Sequence, residues 1–291
     1  MEKIPVFQLN DGNSIPSLGF GVFQIPNDGA TYKAVLTALR MGYRHIDTAV
    51  AYFNEEEVGQ AIKDSGIPRE QIWVTSKLWL QDYAYEDAKK AIETSLTKLG
   101  LDYIDLYLIH QPYGQLTEAW TAMREAKEAD KIKSIGVSNM TPKIWKKWQQ
   151  QGMFDEVMPS VNQVEYNPYF QQMELRKLMA ENHVTLEAWG PLGQGNVELF
   201  NEPLLQKIAS KYHKNIGQII LRFEHQEGII VFPKSVHEER IKSNQAIFDF
   251  ELTSDEMDGI RSLDRGQGSH NPDAPGVQEM LLNAFDVHAN D

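Results

Sequence analysis

Ile104-Asp-Leu-Tyr-Leu-Ile109, followed directly by His110, is the stretch that decides the fold class. It is largely apolar on both faces, which is typical of a strand buried on both sides in a parallel sheet. Parallel strands need long crossover connections, and these are usually helices. Similar short runs recur along the chain at residues 44–48, 72–76, 132–137, 161–165, 185–189 and 229–232.

Between these runs, apolar residues recur with helical spacing. The clearest case follows Asp82, which we expect to cap a helix, and it ends at Gly100, a typical stop signal. Its apolar stripe consists of Ala84, Ala88, Ala91, Ile92, Leu96 and Leu99. Further helix starts are predicted by capping-box spacing or by a proline at the first helical position, at Asn54 with Glu57, Thr253 with Glu256, and Thr141 with Pro142.

The polar residues that end successive strands are regularly spaced. Asp47, Lys77, His110 and Asn139 are 30, 33 and 29 residues apart, about one strand plus one helix each. A doubly wound, Rossmann-like sheet would share this spacing. Eight such units can instead be counted without a linker, and polar residues lie at the carboxyl ends of the strands. Both features favour the α/β class and a single (β/α)8 TIM barrel over residues 1–291.

Two segments lie outside the repeat. Residues 6–9 and 13–16 flank Asp11-Gly12 and predict an N-terminal β-hairpin that plugs one end of the barrel. The segment 265–291 contains several glycines and prolines and predicts a long C-terminal loop. Loops of that length in compact domains usually serve a function or are disordered.

Composition restricts the classes of function. The chain has 291 residues, a formal net charge of -13 and a pI of about 5.1, so nucleic acid is not an expected partner. The absence of cysteine excludes disulfides and thiol nucleophiles. No apolar stretch approaches the roughly 18 residues of a membrane span, so no membrane association is expected. We therefore expect a cytoplasmic monomer that acts on small molecules.

Four side chains suggest acid–base chemistry. Asp47 and Tyr52 lie in a strand-to-loop segment, and either one alone would most simply be structural. In a barrel, however, Lys77 would lie beside Asp47, which supplies the counter-ion that a buried ammonium needs. The ammonium would stabilise the phenolate of Tyr52 and lower its pKa from about 10 towards a value suited to general-acid catalysis. His110 would orient a carbonyl oxygen by a hydrogen bond.

Other kinds of site are weakly indicated or absent from the sequence. No pair of histidines has metal-binding spacing, so no metal is expected. Gly19-Phe-Gly21 lacks the third glycine of a Rossmann-type phosphate loop. Ser235 is predicted to start a helix whose backbone N–H groups, together with Lys234, would bind an anion, although a solvated surface helix is the alternative.

Taken together, these segments resemble the aldo-keto reductase family. Residues 42–59 resemble its first signature, and residues 232–244 resemble its cofactor-binding signature. Ile135-Gly-Val-Ser138-Asn139, Asn162-Gln163-Val-Glu-Tyr166-Asn167-Pro168 and Ala188-Trp189-Gly-Pro191-Leu192-Gly193 occur between them in the family's order. The resemblance covers about residues 5–265 and is closest to bacterial members similar to 2,5-diketo-D-gluconate reductases.

The resemblance implies NADPH-dependent reduction of aldehydes and ketones, with sugar-derived or small reactive carbonyls as substrates. Tyr52 would donate the proton, and Lys77 would lower the pKa of Tyr52. Asp47 would hold Lys77, and His110 would orient the carbonyl. The implied contacts to the nicotinamide are Ser138, Asn139, Gln163 and Trp189, and those to the 2′-phosphate are Lys234, Ser235, Arg240 and Asn244. The other implied cofactor contacts are Gly21, Val22, Gly190, Leu192, Gln194 and Val236.

The implied substrate pocket departs from the family's usual pattern. Phe23 and Gln111 stand where many relatives carry tryptophan, and Trp79 would remain as a wall. These changes predict a less aromatic entrance to the substrate pocket, and they leave the identity of the substrate undetermined. A catalytically quiet, nucleotide-binding regulatory protein on the same scaffold is the alternative function, and a metal-dependent barrel hydrolase is a third.

Overall fold

The central element is a closed barrel of eight parallel strands. The computed structural model describes residues 3–289. The sheet order is β3 to β10 in sequence, and a parallel bridge between Leu18 and Val231 closes the ring. The predicted (β/α)8 barrel is therefore confirmed. The strands are β1 Val6–Gln8, β2 Ser14–Pro16, β3 Phe20–Gly21, β4 His45–Asp47, β5 Trp73–Leu78, β6 Ile104–Ile109, β7 Ile132–Ser138, β8 Val161–Glu165, β9 Thr185–Trp189 and β10 Ile230–Val231.

Helices connect the strands along the outside of this barrel. Strand β3, only two residues long, was not among the strands expected from the sequence, because its apolar run is too short to stand out. The helices are α1 Ala30–Arg40, α2 Glu55–Asp64, α3 Tyr85–Leu99, α4 Leu116–Glu128, α5 Pro142–Gln150, α6 Met173–Glu181, α7 Val197–Phe200, α8 Pro203–Tyr212, α9 Ile216–Gln226, α10 Glu238–Gln245, α11 Ser254–Arg261 and α12 Val277–Ala284.

The N-terminal hairpin closes one end of the barrel, as predicted. Strands β1 and β2 pair in antiparallel fashion, with Phe7 opposite Ile15. Ile15 is fully buried in a cluster with side chains of the barrel strands, among them Leu106, Val161 and Ile230. Because the hairpin occupies the amino-terminal end, the carboxyl ends of the strands form the rim that is open to ligands.

The predicted helix starts have mixed outcomes. Thr141 and Thr253 accept hydrogen bonds at the starts of α5 and α11, and the Thr253–Glu256 capping box is present. The capping box at Asn54 is wrong, because the Asn54 amide instead donates to the Val22 and Ile25 carbonyls. Asp82 lies in a 3-10 turn three residues before α3, so the predicted cap there is also wrong.

The C-terminal segment differs from the long loop that its glycines and prolines predict. It is irregular up to Gly276 and then forms α12, while residues 290–291 lie outside the described part of the chain. Val277, Met280, Leu281 and Ala284 have helical spacing, a signal that the nearby Pro275-Gly276 obscured. Between residues 3 and 289, no helix is long and apolar enough to cross a membrane.

Candidate active site

Lys77 is the centre of a buried polar cluster at the carboxyl end of β5. Its side chain is fully buried, and its ammonium uses all three donors: 2.7 Å to Asp47 Oδ1, 2.9 Å to the Thr48 carbonyl oxygen and 3.4 Å to Tyr52 Oη. Burial disfavours the charge, but Asp47 and Tyr52 outweigh it, so the pKa of Lys77 lies above its usual value. Lys77 therefore remains an ammonium at neutral pH.

The effect of Lys77 on Tyr52 has the predicted sign but not the predicted net result. Burial raises the pKa of Tyr52 by more than the Lys77 charge lowers it, and Asp47 adds to the rise. The pKa of the phenol therefore lies above 10. The expected net decrease was wrong because sequence spacing reveals the charged neighbour but not the extent of burial.

His110 follows β6 and faces Tyr52 across the rim. The two rings meet edge to face with centroids 5.6 Å apart, and Trp79 contacts the imidazole at 5.1 Å. Burial and then the Lys77 charge hold the pKa of His110 well below its usual value. The imidazole is therefore neutral near pH 7, with one N–H to donate.

A large cavity of about 1590 Å³ opens beside these side chains. It extends from the rim of the barrel towards α10, far enough to hold a ligand much larger than a small carbonyl compound. The structure brings most of the predicted site residues into its wall: Gly21, Phe23, Asp47, Tyr52, Trp79, His110, Gln111, Ser138, Asn139, Gln163, Trp189, Gly190, Leu192, Gln194, Lys234, Arg240 and Asn244.

Four predicted residues do not line this cavity. Lys77 lies behind Asp47 and Tyr52, Val22 is fully buried in the core, and Val236 is 53% exposed outside the cavity. Ser235 does not start a helix, because α10 begins at Glu238. Its hydroxyl instead accepts from the His237 N–H at 3.0 Å, a local bond typical of serine turns.

Lys234 and Arg240 supply two positive charges to the cavity wall. Both side chains are exposed, and neither has an ion-pair partner within residues 3–289. Asn244 lies one turn after Arg240 on α10 and lines the same cavity. Two unpaired cations in the wall of a large cavity are a suitable site for an anionic group.

Another part of the cavity wall consists of the side-chain amides of Asn139 and Gln163 and the indole of Trp189. Trp189 Nε1 donates to Asn139 Oδ1 at 2.8 Å, and Asn139 Nδ2 donates to the His110 carbonyl at 3.1 Å. These bonds fix the indole of Trp189 relative to the residues around His110. Gln163 Nε2 donates to Asp47 Oδ2 at 2.8 Å and thereby joins the wall to the Lys77 cluster.

Glu187 belongs to this cluster and was missed at the sequence level. It is fully buried in β9, and its Oε2 accepts from Gln163 Nε2 at 3.0 Å. A charged residue within the run Thr-Leu-Glu-Ala-Trp was the available signal, because alternation places Glu187 on the same face as Trp189.

The C-terminal segment, which was expected only as a loop, lines part of the cavity. Phe285 contacts Trp79 edge to face at 5.5 Å, and its carbonyl accepts from Trp79 Nε1 at 3.0 Å. At the other end, the Ser269 N–H donates to both oxygens of Glu165 at 2.9 Å. The cavity therefore has an apolar wall from α12, consisting of Val277, Met280, Leu281 and Ala284.

The arrangement defines a class of protein: a barrel enzyme with an acid–base cluster at the carboxyl ends of its strands. Within the described residues, no group of three or more His, Cys, Asp or Glu side chains could hold a metal ion.

Comparison with known proteins gives the family. Residues 17–265 match the model of the Aldo/keto reductase family. An aldo-keto reductase of Mycolicibacterium smegmatis is 44% identical over 90% of this chain and 94% of its own length. The glyoxal reductase of Bacillus subtilis is 42% identical over 91% of this chain and 95% of its own. A crystal structure of a Gox0644 mutant in complex with NADPH superimposes with a TM-score of 0.87, at 36% identity over 94% of this chain and 99% of that one. The chain belongs to the aldo/keto reductase family of oxidoreductases.

Proposed function

We propose that this chain reduces aldehydes and ketones to alcohols with NADPH, with Tyr52 as the general acid. The observation that carries the proposal is one continuous cavity lined both by Asp47 and Tyr52 of the Lys77 cluster and by the unpaired Lys234 and Arg240. A dinucleotide with a 2′-phosphate would place an anionic group at Lys234 and Arg240 and its reactive ring at the acid–base cluster.

The residues present fit such a cofactor. Trp189 offers an indole face near the acid–base cluster, and Ser138, Asn139 and Gln163 offer polar atoms beside it. Lys234 and Arg240 would hold the 2′-phosphate, and this contact would favour NADPH over NADH. Gly21, Gly190, Leu192 and Gln194, which also line the cavity, would supply further contacts to the cofactor. The bound reduced nicotinamide would supply the hydride.

The chain's own residues would supply the proton and the orientation. His110, being neutral, would donate its N–H to the carbonyl oxygen and hold that oxygen near Tyr52 Oη. Tyr52 would transfer its proton to the developing alkoxide, and Lys77 would stabilise the resulting phenolate at 3.4 Å. Asp47 would keep Lys77 charged throughout.

The pocket favours small reactive carbonyls or sugar-derived compounds. Phe23 and Trp79, together with α12, supply apolar walls, while Gln111 adds one polar group near His110. The glyoxal reductase of B. subtilis is named for a small dicarbonyl compound, which supports this choice. Partial closure by α12 would exclude larger substrates.

The direct test is oxidation of NADPH by the purified full-length protein with glyoxal, methylglyoxal, benzaldehyde and keto sugars. We expect a carbonyl-dependent decrease in absorbance at the NADPH band that the Tyr52→Phe variant lacks. Tight NADPH binding without turnover of any carbonyl compound would instead support a regulatory nucleotide-binding protein. Activity abolished by a chelator would contradict the proposed chemistry.

A further inference from the structure

Glu187 has no part in the proton and hydride transfers proposed above, yet it lies within the same buried cluster. Its side chain is fully buried inside the barrel, and β9 places it in register with Gln163 of β8. Its Oε2 accepts from Gln163 Nε2 at 3.0 Å, while its Oε1 is buried without a hydrogen-bond partner among the described residues.

Among the described residues, the side-chain amide of Gln163 forms hydrogen bonds through its nitrogen and not through its oxygen. Its Nε2 donates one hydrogen to Asp47 Oδ2 at 2.8 Å and the other to Glu187 Oε2 at 3.0 Å. Both amide hydrogens are thereby used, and the side chain lines the cavity. The reversed amide would point its oxygen at the Asp47 carboxylate, which has no hydrogen to donate, so the bond to Asp47 determines which end of the amide is which, and Glu187 Oε2 accepts the second hydrogen.

We propose that Glu187 is a positioning residue for the cofactor, which holds Gln163 so that its Oε1 is the atom offered to the carboxamide N–H of a nicotinamide. This inference rests on the proposed function, since Gln163 would be a cofactor contact. Asp47 fixes one amide hydrogen and Glu187 fixes the other, so the loss of either acceptor frees the amide to rotate.

The charge balance of the cluster explains why Glu187 is tolerated there. The charged groups that act on it are Asp47 from β4 and Lys77 from β5, while β8 contributes the Gln163 amide and β10 pairs through the apolar Ile230. Burial, followed by the Asp47 carboxylate, raises the pKa of Glu187 to about 8. At neutral pH the cluster therefore holds one ammonium and one carboxylate, with Glu187 protonated.

Two substitutions separate positioning by a hydrogen-bond acceptor from mere filling of space. Glu187→Leu retains the volume but removes the acceptor, whereas Glu187→Gln retains a neutral acceptor. Glu224 provides the matched controls Glu224→Leu and Glu224→Gln, because it is also fully buried but lies on α9, and neither carboxyl oxygen has a partner among the described residues.

The measurement is the dissociation constant for NADPH, obtained from quenching of tryptophan fluorescence in the full-length protein. We expect Glu187→Leu to weaken binding about tenfold and Glu187→Gln to bind within about twofold of the wild type, because only the former loses the acceptor. Both Glu224 variants should bind NADPH as the wild type does. Wild-type affinity in Glu187→Leu, or equal weakening in both Glu187 variants, overturns the inference.

A second variant covers the case in which Glu187→Leu does not fold. Glu187→Met also lacks the carboxyl acceptor, but its flexible side chain adapts more readily to the space of a buried glutamate. It should weaken NADPH binding about tenfold in the same assay. Wild-type affinity in Glu187→Met overturns the inference, whereas a wild type that neither binds nor oxidises NADPH overturns the proposed function itself.

Discussion

Lys77 and Asp47 form an ion pair 2.7 Å long whose side chains are 0% and 7% exposed. Removal of one charge from such a pair leaves the other buried and unpaired. We expect Asp47→Asn to lower the free energy of unfolding by about 3–5 kcal/mol and to reduce kcat. Urea unfolding measures the first effect. Glu93→Gln, which removes a half-exposed ion pair with Lys131, should change stability little.

Tyr52 is the only hydroxyl group within hydrogen-bond distance of Lys77 Nζ among the described residues. We expect Tyr52→Phe to reduce kcat by about 10²- to 10⁴-fold, because the proton donor is lost, while the dissociation constant for NADPH stays within a few fold. Tyr85→Phe is the control, since Tyr85 lies on α3 and donates to Glu125 on the outside of the barrel. Comparable turnover in Tyr52→Phe would refute the assignment of the acid.

Lys234 and Arg240 are expected to discriminate between the two nicotinamide cofactors. The double variant Lys234→Met, Arg240→Leu should weaken NADPH binding by about 10- to 100-fold, because two charge-assisted contacts to the 2′-phosphate are lost. NADH binding should change much less. Lys242→Met, at an exposed lysine of α10, the helix that carries Arg240, is the matched control. Equal losses for NADPH and NADH would place the 2′-phosphate elsewhere.

Gly268 holds the C-terminal segment close to the barrel. A Cβ atom there would lie 2.6 Å from Glu165 Oε2 and 2.7 Å from the Phe170 ring. Gly268→Ala should therefore displace the segment from Glu165 and raise KM for the carbonyl substrate several fold. Gln267→Ala, at the exposed neighbouring position, should not change KM. A steady-state titration with the carbonyl substrate distinguishes the two, and an unchanged KM in Gly268→Ala would argue against this role.

His45 should make the protein less stable in acid. The imidazole is fully buried inside the barrel, and burial lowers its pKa from 6.5 to about 3. Between pH 6.5 and 3 the unfolded chain binds a proton that the folded chain does not, so stability falls as the pH decreases through this range.

The test for His45 compares urea midpoints of the wild type and His45→Gln at pH 7 and pH 5. We expect the wild type to lose more stability than the variant, since glutamine can still bond Thr75 but does not titrate. His183, an exposed histidine that lies just after α6, provides the control His183→Gln. Parallel decreases in the wild type and His45→Gln would show that His45 is not the titrating group.

Local signals predicted the elements well where tertiary contacts leave the local bonds in place. Thr253 and Glu256 form the expected capping box, although the Glu256 carboxylate also accepts hydrogen bonds from Lys211 and Tyr212. Asn54 begins α2 as expected but does not cap it, since the carbonyls of Val22 and Ile25 lie close enough to bind its amide. Their positions depend on chain segments about 30 residues away, which no local pattern encodes.

The barrel and its acid–base residues could be predicted from the sequence because strand period, unit length and the polar residue at each strand end are properties of the chain itself. The net pKa of Tyr52, the place of Glu187 beneath Gln163 and the contact of α12 with Trp79 were decided only by the tertiary structure. Each depends on burial or on contacts between residues distant along the chain. Such contacts exist only once the ring of strands has closed.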